Sequence, residues 1–186
     1  MPVQTSAGAP ATADVGAFLA PSDGAWQREL PADLGAASET APFVQAPLPG
    51  LMDWTDAESF RVPSPGWRVF KRTEKGVFLA SPDKHGDIVV HLFRESREIQ
   101  ALLASSRTHG WEFQAPIPRT VGSDAIPALI GHGRAKSADN KDVTVLYSLM
   151  RGEPNHLLVL CAAHHDTGGA DLTTAFAIMT NVKRRN

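Results

Sequence analysis

The sequence is poor in cysteine and in long hydrophobic runs. Cys161 is the only cysteine in 186 residues, so no disulfide within the chain is possible. It lies in the longest apolar run, residues 157–163, a setting that favours a small buried core residue over a reactive thiol. A membrane-spanning helix needs about 20 consecutive apolar residues. The sequence therefore predicts no membrane span.

Positive charge is also scarce. The chain has 18 lysines and arginines against 20 aspartates and glutamates, a formal net charge of −2. Nucleic-acid binding requires a basic surface, so this balance argues against a nucleic-acid partner. Residues 1–6 contain no basic residue and no hydrophobic stretch of leader length. We therefore expect a cytoplasmic protein, or an exported one if a leader has been removed.

Recognisable catalytic and metal-binding motifs are missing as well. The densest group of potential ligands is Cys161, His164, His165 and Asp166, and zinc accepts all three residue types. However, adjacent histidines in an extended chain point to opposite sides, and the other histidines are scattered. We therefore predict no metal, no cofactor and no catalytic residue, with a small metal-dependent hydrolase at His164, His165 and Asp166 as one alternative.

What the sequence does show is a change in charge and proline content near residue 60. Residues 1–60 hold one basic and eight acidic side chains (net −7), whereas residues 61–186 hold 17 basic and 12 acidic ones (net +5). Seven of the 14 prolines lie in the first 50 residues, where they disfavour long helices and central strands. The pattern predicts an irregular Ala/Pro-rich acidic arm at residues 1–58, followed by one α+β domain at residues 59–186.

Large apolar side chains in the arm are candidate anchors for a partner. They have no local core to enter, and tryptophan in particular is enriched at interface hot spots. A basic patch at the start of the body is a second candidate contact, suited to the acidic arm or to an acidic partner. The candidate partner-binding residues are Phe18, Trp26, Phe43 and Trp54 in the arm, and Arg68, Lys71 and Arg72 in the patch.

The body alternates strand-like and helix-like patterns. A helix is expected from Ser96 to just before Gly110, and a second from about 171 to 183, with Leu172, Phe176 and Val182 in its apolar stripe. The segment 114–127 contains three prolines and is expected to be irregular. Strands are expected at residues 59–62, 67–70, 76–80, 87–93, 129–136, 143–150 and 156–163, the last two central. Together these elements predict an antiparallel β-sheet flanked by two helices.

Three segments of the body resemble the PsbP-like superfamily. They are the opening Phe-Arg-Val-Pro-Ser-Pro-Gly-Trp at 60–67, the strand Leu-Ile-Gly-His-Gly-Arg-Ala at 129–135, and the closing Phe-Ala-Ile-Met-Thr-Asn-Val at 176–182. The resemblance spans residues 59–183, about two-thirds of the chain. It implies a non-enzymatic function, because that superfamily includes extrinsic photosystem subunits, small regulators of a nuclear GTPase and Eag-type chaperones of type VI secretion. The long acidic arm departs from the compact superfamily pattern.

The combined hypothesis is a non-catalytic accessory or assembly protein. It would dock through its arm on a protein partner, on a larger complex or on a second copy of itself. The alternative within the same resemblance is an Eag-type chaperone or adaptor that holds apolar client helices on its sheet, and this alternative requires a concave, exposed apolar face.

Overall fold

Two β-sheets and two helices make up the part of the chain that the computed structural model describes, which is Leu34 and residues 37–50, 52–166 and 169–186. The helices are α1 (Ser96–Thr108) and α2 (Gly169–Met179). The strands are β1 (Phe43–Val44), β2 (Trp54–Ala57), β3 (Phe60–Pro63), β4 (Arg68–Thr73), β5 (Gly76–Ala80), β6 (Gly86–Phe93), β7 (Glu112–Phe113), β8 (Ile117–Val121), β9 (Ile126–Lys136), β10 (Asp142–Met150), β11 (His156–His164) and β12 (Lys183–Arg184).

The larger sheet has the strand order β1–β8–β9–β10–β11–β6–β5–β4, with β7 also paired to β9. The smaller sheet has the order β12–β3–β2. The α+β class is as predicted, but the sheet is not purely antiparallel. Strand β1 runs parallel to β8, with Phe43 opposite Thr120. The exception arises because β1 comes from the segment before the predicted domain and joins the sheet at its edge.

Both faces of the central strands of the large sheet are covered. On one face, α2 and the smaller sheet bury residues such as Phe60, Leu146 and Phe176. On the other face, α1 and the short strand β7 cover residues such as Tyr147 and Leu158. The long central strands are apolar on both sides for this reason, because each of their faces enters a core.

The segment predicted to be irregular, 114–127, contains the regular strand β8. Its proline, Pro118, pairs in register with Leu129 of β9. Proline lacks an N–H donor and is therefore tolerated where a strand has a neighbour on one side only. Strand β1 reaches only Thr120 and Val121 of β8, so Pro118 lies in the part of β8 that has no β1 residue beside it.

The last helix is shorter than its apolar periodicity predicts. Side chains end it: Thr180 donates to the Phe176 carbonyl at 2.9 Å, and the Asn181 amide donates to the Ala177 carbonyl at 2.8 Å. These bonds satisfy carbonyl groups at the helix end. Val182 is fully buried as expected, but it lies beyond the helix, and the chain continues into β12.

Part of the predicted arm belongs to the two sheets. Strands β1 and β2 both lie before residue 59, and Leu34, Ala37 and Ala46 are buried. Regular pairing there differs from the irregular chain that composition predicts, because the neighbours of this segment supply its hydrogen bonds. Neither of the helices in the described ranges has the length and hydrophobicity to cross a membrane.

Candidate protein-binding surface

The most exposed regular element is β4, at one edge of the large sheet. All six of its residues are exposed, and Val69 and Phe70 keep 40 % and 59 % of their surface accessible. Within the described residues β4 pairs with β5 alone, so its outer side is an open strand edge. An open edge offers backbone donors and acceptors to another chain. We call Arg68, Val69, Phe70, Lys71 and Arg72 together the β4 edge surface.

Local geometry explains why Phe70 faces solvent. The register between β4 and β5 shifts between Val69 and Lys71, so Phe70 is the extra residue of a β-bulge. Its ring lies beside that of Phe78, with the two centroids 6.0 Å apart. The neighbouring strand β5, in contrast, directs an apolar side chain into the core, because Leu79 is fully buried.

The hairpin that carries β4 is tied to helix α1. Lys75, in the turn between β4 and β5, forms an ion pair with Glu98 at 3.0 Å. Glu98 also accepts the backbone N–H of Arg94 at 2.7 Å. These two interactions, the N–H bond first, lower the pKa of Glu98 to about 2. The hairpin is therefore linked to α1, and Lys75 already has a carboxylate partner.

The three cations of the β4 edge surface are not engaged in this way. In the described ranges, Arg68, Lys71 and Arg72 form no ion pair with a carboxylate. The Lys71 ammonium lies 5.3 Å from the centroid of the Phe78 ring, a cation–π contact. The surface thus combines an exposed aromatic ring, three positive charges and backbone groups that no described strand pairs.

The other predicted anchors lie elsewhere. Phe43 is 40 % exposed in β1, at the opposite edge of the large sheet from β4. Seven strand spacings of about 4.8 Å separate the two edges, or roughly 34 Å along a flat sheet. Phe18 and Trp26 lie outside the described residues. The structure therefore does not bring Phe43 together with the basic patch.

Trp54 is half-buried in the smaller sheet. The guanidinium of Arg61 lies 5.6 Å from its ring centroid, and the ammonium of Lys183 lies 4.8 Å from it. Asp56 anchors this group through an ion pair with Arg61 at 3.2 Å. Trp54 is thus held by contacts within the chain, and an incoming partner would meet the cations around it as well as the ring.

Comparisons with known proteins identify the fold. No family model matches the sequence, and no curated protein matches it significantly. Among solved structures, cyanobacterial PsbP from Synechocystis sp. PCC 6803 superposes with a TM-score of 0.56 at 10 % identity. The match covers 74 % of this chain and 95 % of that protein. The fold is PsbP-like.

A second solved structure, from Bacteroides thetaiotaomicron, superposes with a TM-score of 0.51 at 12 % identity. That match covers 74 % of this chain but 49 % of the other, so the chain spans about half the length of that protein. The predicted PsbP-like resemblance is confirmed. At these identities, the likeness establishes the fold alone.

The histidines of the alternative hydrolase site do not converge on the PsbP-like fold. His164 lines a cavity of ≈ 210 Å³ with Asp87 and Trp111, whereas His165 lines a separate one of ≈ 510 Å³ with His132. Burial raises the pKa of Asp87, an effect that the nearby His164 partly offsets. Within the described ranges, no three His, Cys, Asp or Glu side chains come together as metal ligands. Asp166 is exposed.

Cys161 takes the core position expected from its sequence. Its side chain is fully buried on the α2 side of the sheet, and burial raises the pKa of its thiol well above the usual range. A thiol in this state is a poor nucleophile.

Sequence analysis identified the charged residues at β4 but missed the apolar ones. Val69 and Phe70 were read as ordinary members of a short strand that begins at Trp67. The available signal was the sequence Arg-Val-Phe-Lys-Arg at residues 68–72, which places two apolar side chains inside a strongly charged strand. Such a strand is typical of a sheet edge.

Proposed function

We propose that this PsbP-like protein is a non-catalytic accessory protein that binds a protein partner. The observation that carries the proposal is the β4 edge surface, where Phe70 is 59 % exposed on a strand that also carries three cations. An exposed ring of this kind gains free energy when a partner covers it. The separation of His164 from His165 into two cavities supports the non-catalytic part of the proposal.

The N-terminal arm is the second element of the proposal. We propose that Phe18, Trp26 and Phe43 contribute to docking, because large apolar side chains in a Pro-rich segment gain most by burial in another surface. Phe43 of the arm lies at the sheet edge opposite β4. A partner that contacts both elements must therefore extend across the molecule or bind as two segments.

The chaperone alternative receives less support. An Eag-type binding mode needs a concave apolar face, yet α1, α2 and the smaller sheet cover both faces of the central strands of the large sheet. In the described ranges, the large hydrophobic side chains that remain exposed are Phe43, Val69, Phe70 and Ile117.

The proposal is tested by affinity purification of the tagged protein from its own cells. Phe70→Ser should lower recovery of the co-purifying partner by at least about tenfold, the effect of losing an interface hot spot. The matched control is Ile117→Ser, which changes an exposed apolar residue at the far edge, 42 % accessible, and should leave recovery unchanged. Trp26→Ala combined with Phe43→Ala tests the arm, with a similar expected loss.

Wild-type recovery by both the Phe70 variant and the arm double variant would contradict the proposed function. A turnover activity that depends on His164 or His165 would contradict its non-catalytic part. Thermal melting of each variant confirms that folding is intact.

A further inference from the structure

We propose that β4 binds an acidic, extended segment of a partner protein as an additional strand of the large sheet. This inference rests on the proposed function and adds the partner's chemistry and its mode of binding. Strand addition requires an accessible edge of sufficient length, and β4 offers six exposed residues at the end of the strand order. Backbone hydrogen bonds would supply affinity, and the side chains on both faces of β4 would supply selectivity.

Charge determines the nature of the added strand. Arg68, Lys71 and Arg72 bear three positive charges with no carboxylate partner in the described ranges. A strand laid beside β4 places its side chains opposite these cations, where carboxylates are favoured and cations are disfavoured. An acidic segment would therefore fill the ionic role that Glu98 already fills for Lys75.

The same charges disfavour a second copy of this chain as the occupant. Pairing β4 with β4 of another molecule would set the three cations of each copy against one another. Like charges directly opposite each other destabilise a strand pair. Positive charge on an edge strand thus prevents self-association while leaving the edge open to an acidic chain.

Phe70 adds a second requirement for the bound segment, an apolar side chain. Its ring stands out at the bulge, beside Phe78 at 6.0 Å. An apolar side chain of the added strand would cover this pair of rings. A suitable ligand is therefore a segment that combines acidic with apolar residues, and in an alternating segment the acidic side chains share one face of the strand and the apolar side chains the other.

The test uses the full chain and a fluorescent peptide that matches β4 in length and alternates Glu with Val. Fluorescence anisotropy should show binding that weakens as salt is raised. Two control peptides separate the contribution of charge from that of backbone hydrogen bonds. One replaces Glu by Lys, and the other carries the Glu/Val sequence with N-methylated amides. Both should bind at least about tenfold more weakly, because one reverses the charge and the other removes backbone donors.

Protein variants give a matched pair. Lys71→Glu combined with Arg72→Glu should lose the Glu/Val peptide and gain the Lys/Val peptide. Ile117→Ser should leave both affinities unchanged. Hydrogen exchange at residues 68–73 should slow when the Glu/Val peptide binds, because their outer amides become bonded.

Four results would overturn the inference. Equal binding of the N-methylated peptide would contradict strand addition, and equal binding of the Lys/Val peptide by the wild type would contradict the charge argument. Glu/Val binding that appears only after deletion of residues 1–33 would make the chain's own acidic segment the occupant. If Phe70→Ser reduces partner recovery while the peptide fails to bind, the proposed function stands and this binding mode is wrong.

Discussion

Gly122 lies where the backbone leaves no room for a side chain. Its φ is +70°, a conformation that L-residues rarely adopt. A Cβ atom there would lie 2.0 Å from the carbonyl oxygen of Val182, and the Gly122 N–H donates to Thr180 at 3.0 Å. The glycine therefore allows the turn after β8 to approach the end of α2. Gly110 has a similar φ of +81°, but no atom lies within 4 Å of the position that a Cβ atom would occupy there.

These two glycines provide a test that separates backbone strain from steric overlap. Gly110→Ala should cost about 1 kcal/mol of unfolding free energy, from left-handed backbone strain alone. Gly122→Ala should cost about 2 kcal/mol more, because the Val182 carbonyl must also move. Urea denaturation of both variants measures the difference. Equal losses would show that the approach of Val182 is not a constraint in solution.

At the scale of elements, Asn181 fastens the segment after β1 to the end of α2. Its side-chain amide donates to the Ala46 carbonyl at 2.7 Å, and its side-chain oxygen accepts from Gln45. Thr180 accepts the backbone N–H of Ala46 at 3.0 Å. Asn181 is 7 % exposed, so these bonds are shielded from water. Two sequence-distant segments thus satisfy each other's backbone groups.

Asn181→Ala should destabilise the fold by about 1–3 kcal/mol, because it leaves a buried carbonyl without its donor. Hydrogen exchange should also accelerate at residues 43–46, which lose an attachment. The matched control is Ser38→Ala, which removes an exposed bond to Thr40 and should change stability by less than about 0.5 kcal/mol. Unchanged exchange at residues 43–46 in the Asn181 variant would contradict this role.

Prediction from sequence succeeded where one element's own pattern determines its structure. Helix α1 follows from the spacing of Ile99 and Leu103, and the central strands follow from continuous apolar runs. Prediction failed where contacts with a neighbouring segment determine the local structure. Strand β8 forms despite Pro118 because β9 pairs with it, and α2 ends early because Asn181 bonds both to the helix and to Ala46. The candidate site shows the same division: its charges were evident, whereas the exposure of Phe70 depends on a bulge.

At the scale of the whole molecule, burial lowers the pKa of three histidines. They are His91, His132 and His156. His156 also accepts the N–H of Gly152 at its Nδ1, at 3.2 Å, a bond that protonation would remove. The unfolded chain takes up protons more readily than the folded protein, so stability is complete above the ordinary histidine pKa of 6.5 and declines as the pH falls below it.

We therefore expect a lower melting temperature at about pH 5.5 than at about pH 7. Asp87, with its pKa raised by burial, acts in the opposite direction, because its carboxyl group takes up a proton more readily in the folded protein than in the unfolded chain. His156→Gln should reduce the slope of melting temperature against pH, whereas His109→Gln, which changes an exposed histidine, should not. A flat profile for the wild type over this range would refute the expectation.

The burial of Cys161 makes the chain its own reporter of unfolding. The thiol lies in β11, between β10 and β6 at the centre of the large sheet. An alkylating reagent reaches it only when the central strands separate, and no second cysteine competes for the reagent. When refolding is faster than alkylation, the labelling rate equals the intrinsic thiol rate multiplied by the fraction of open molecules. Mass spectrometry of alkylated protein therefore measures global opening under native conditions, without denaturant and without an introduced probe.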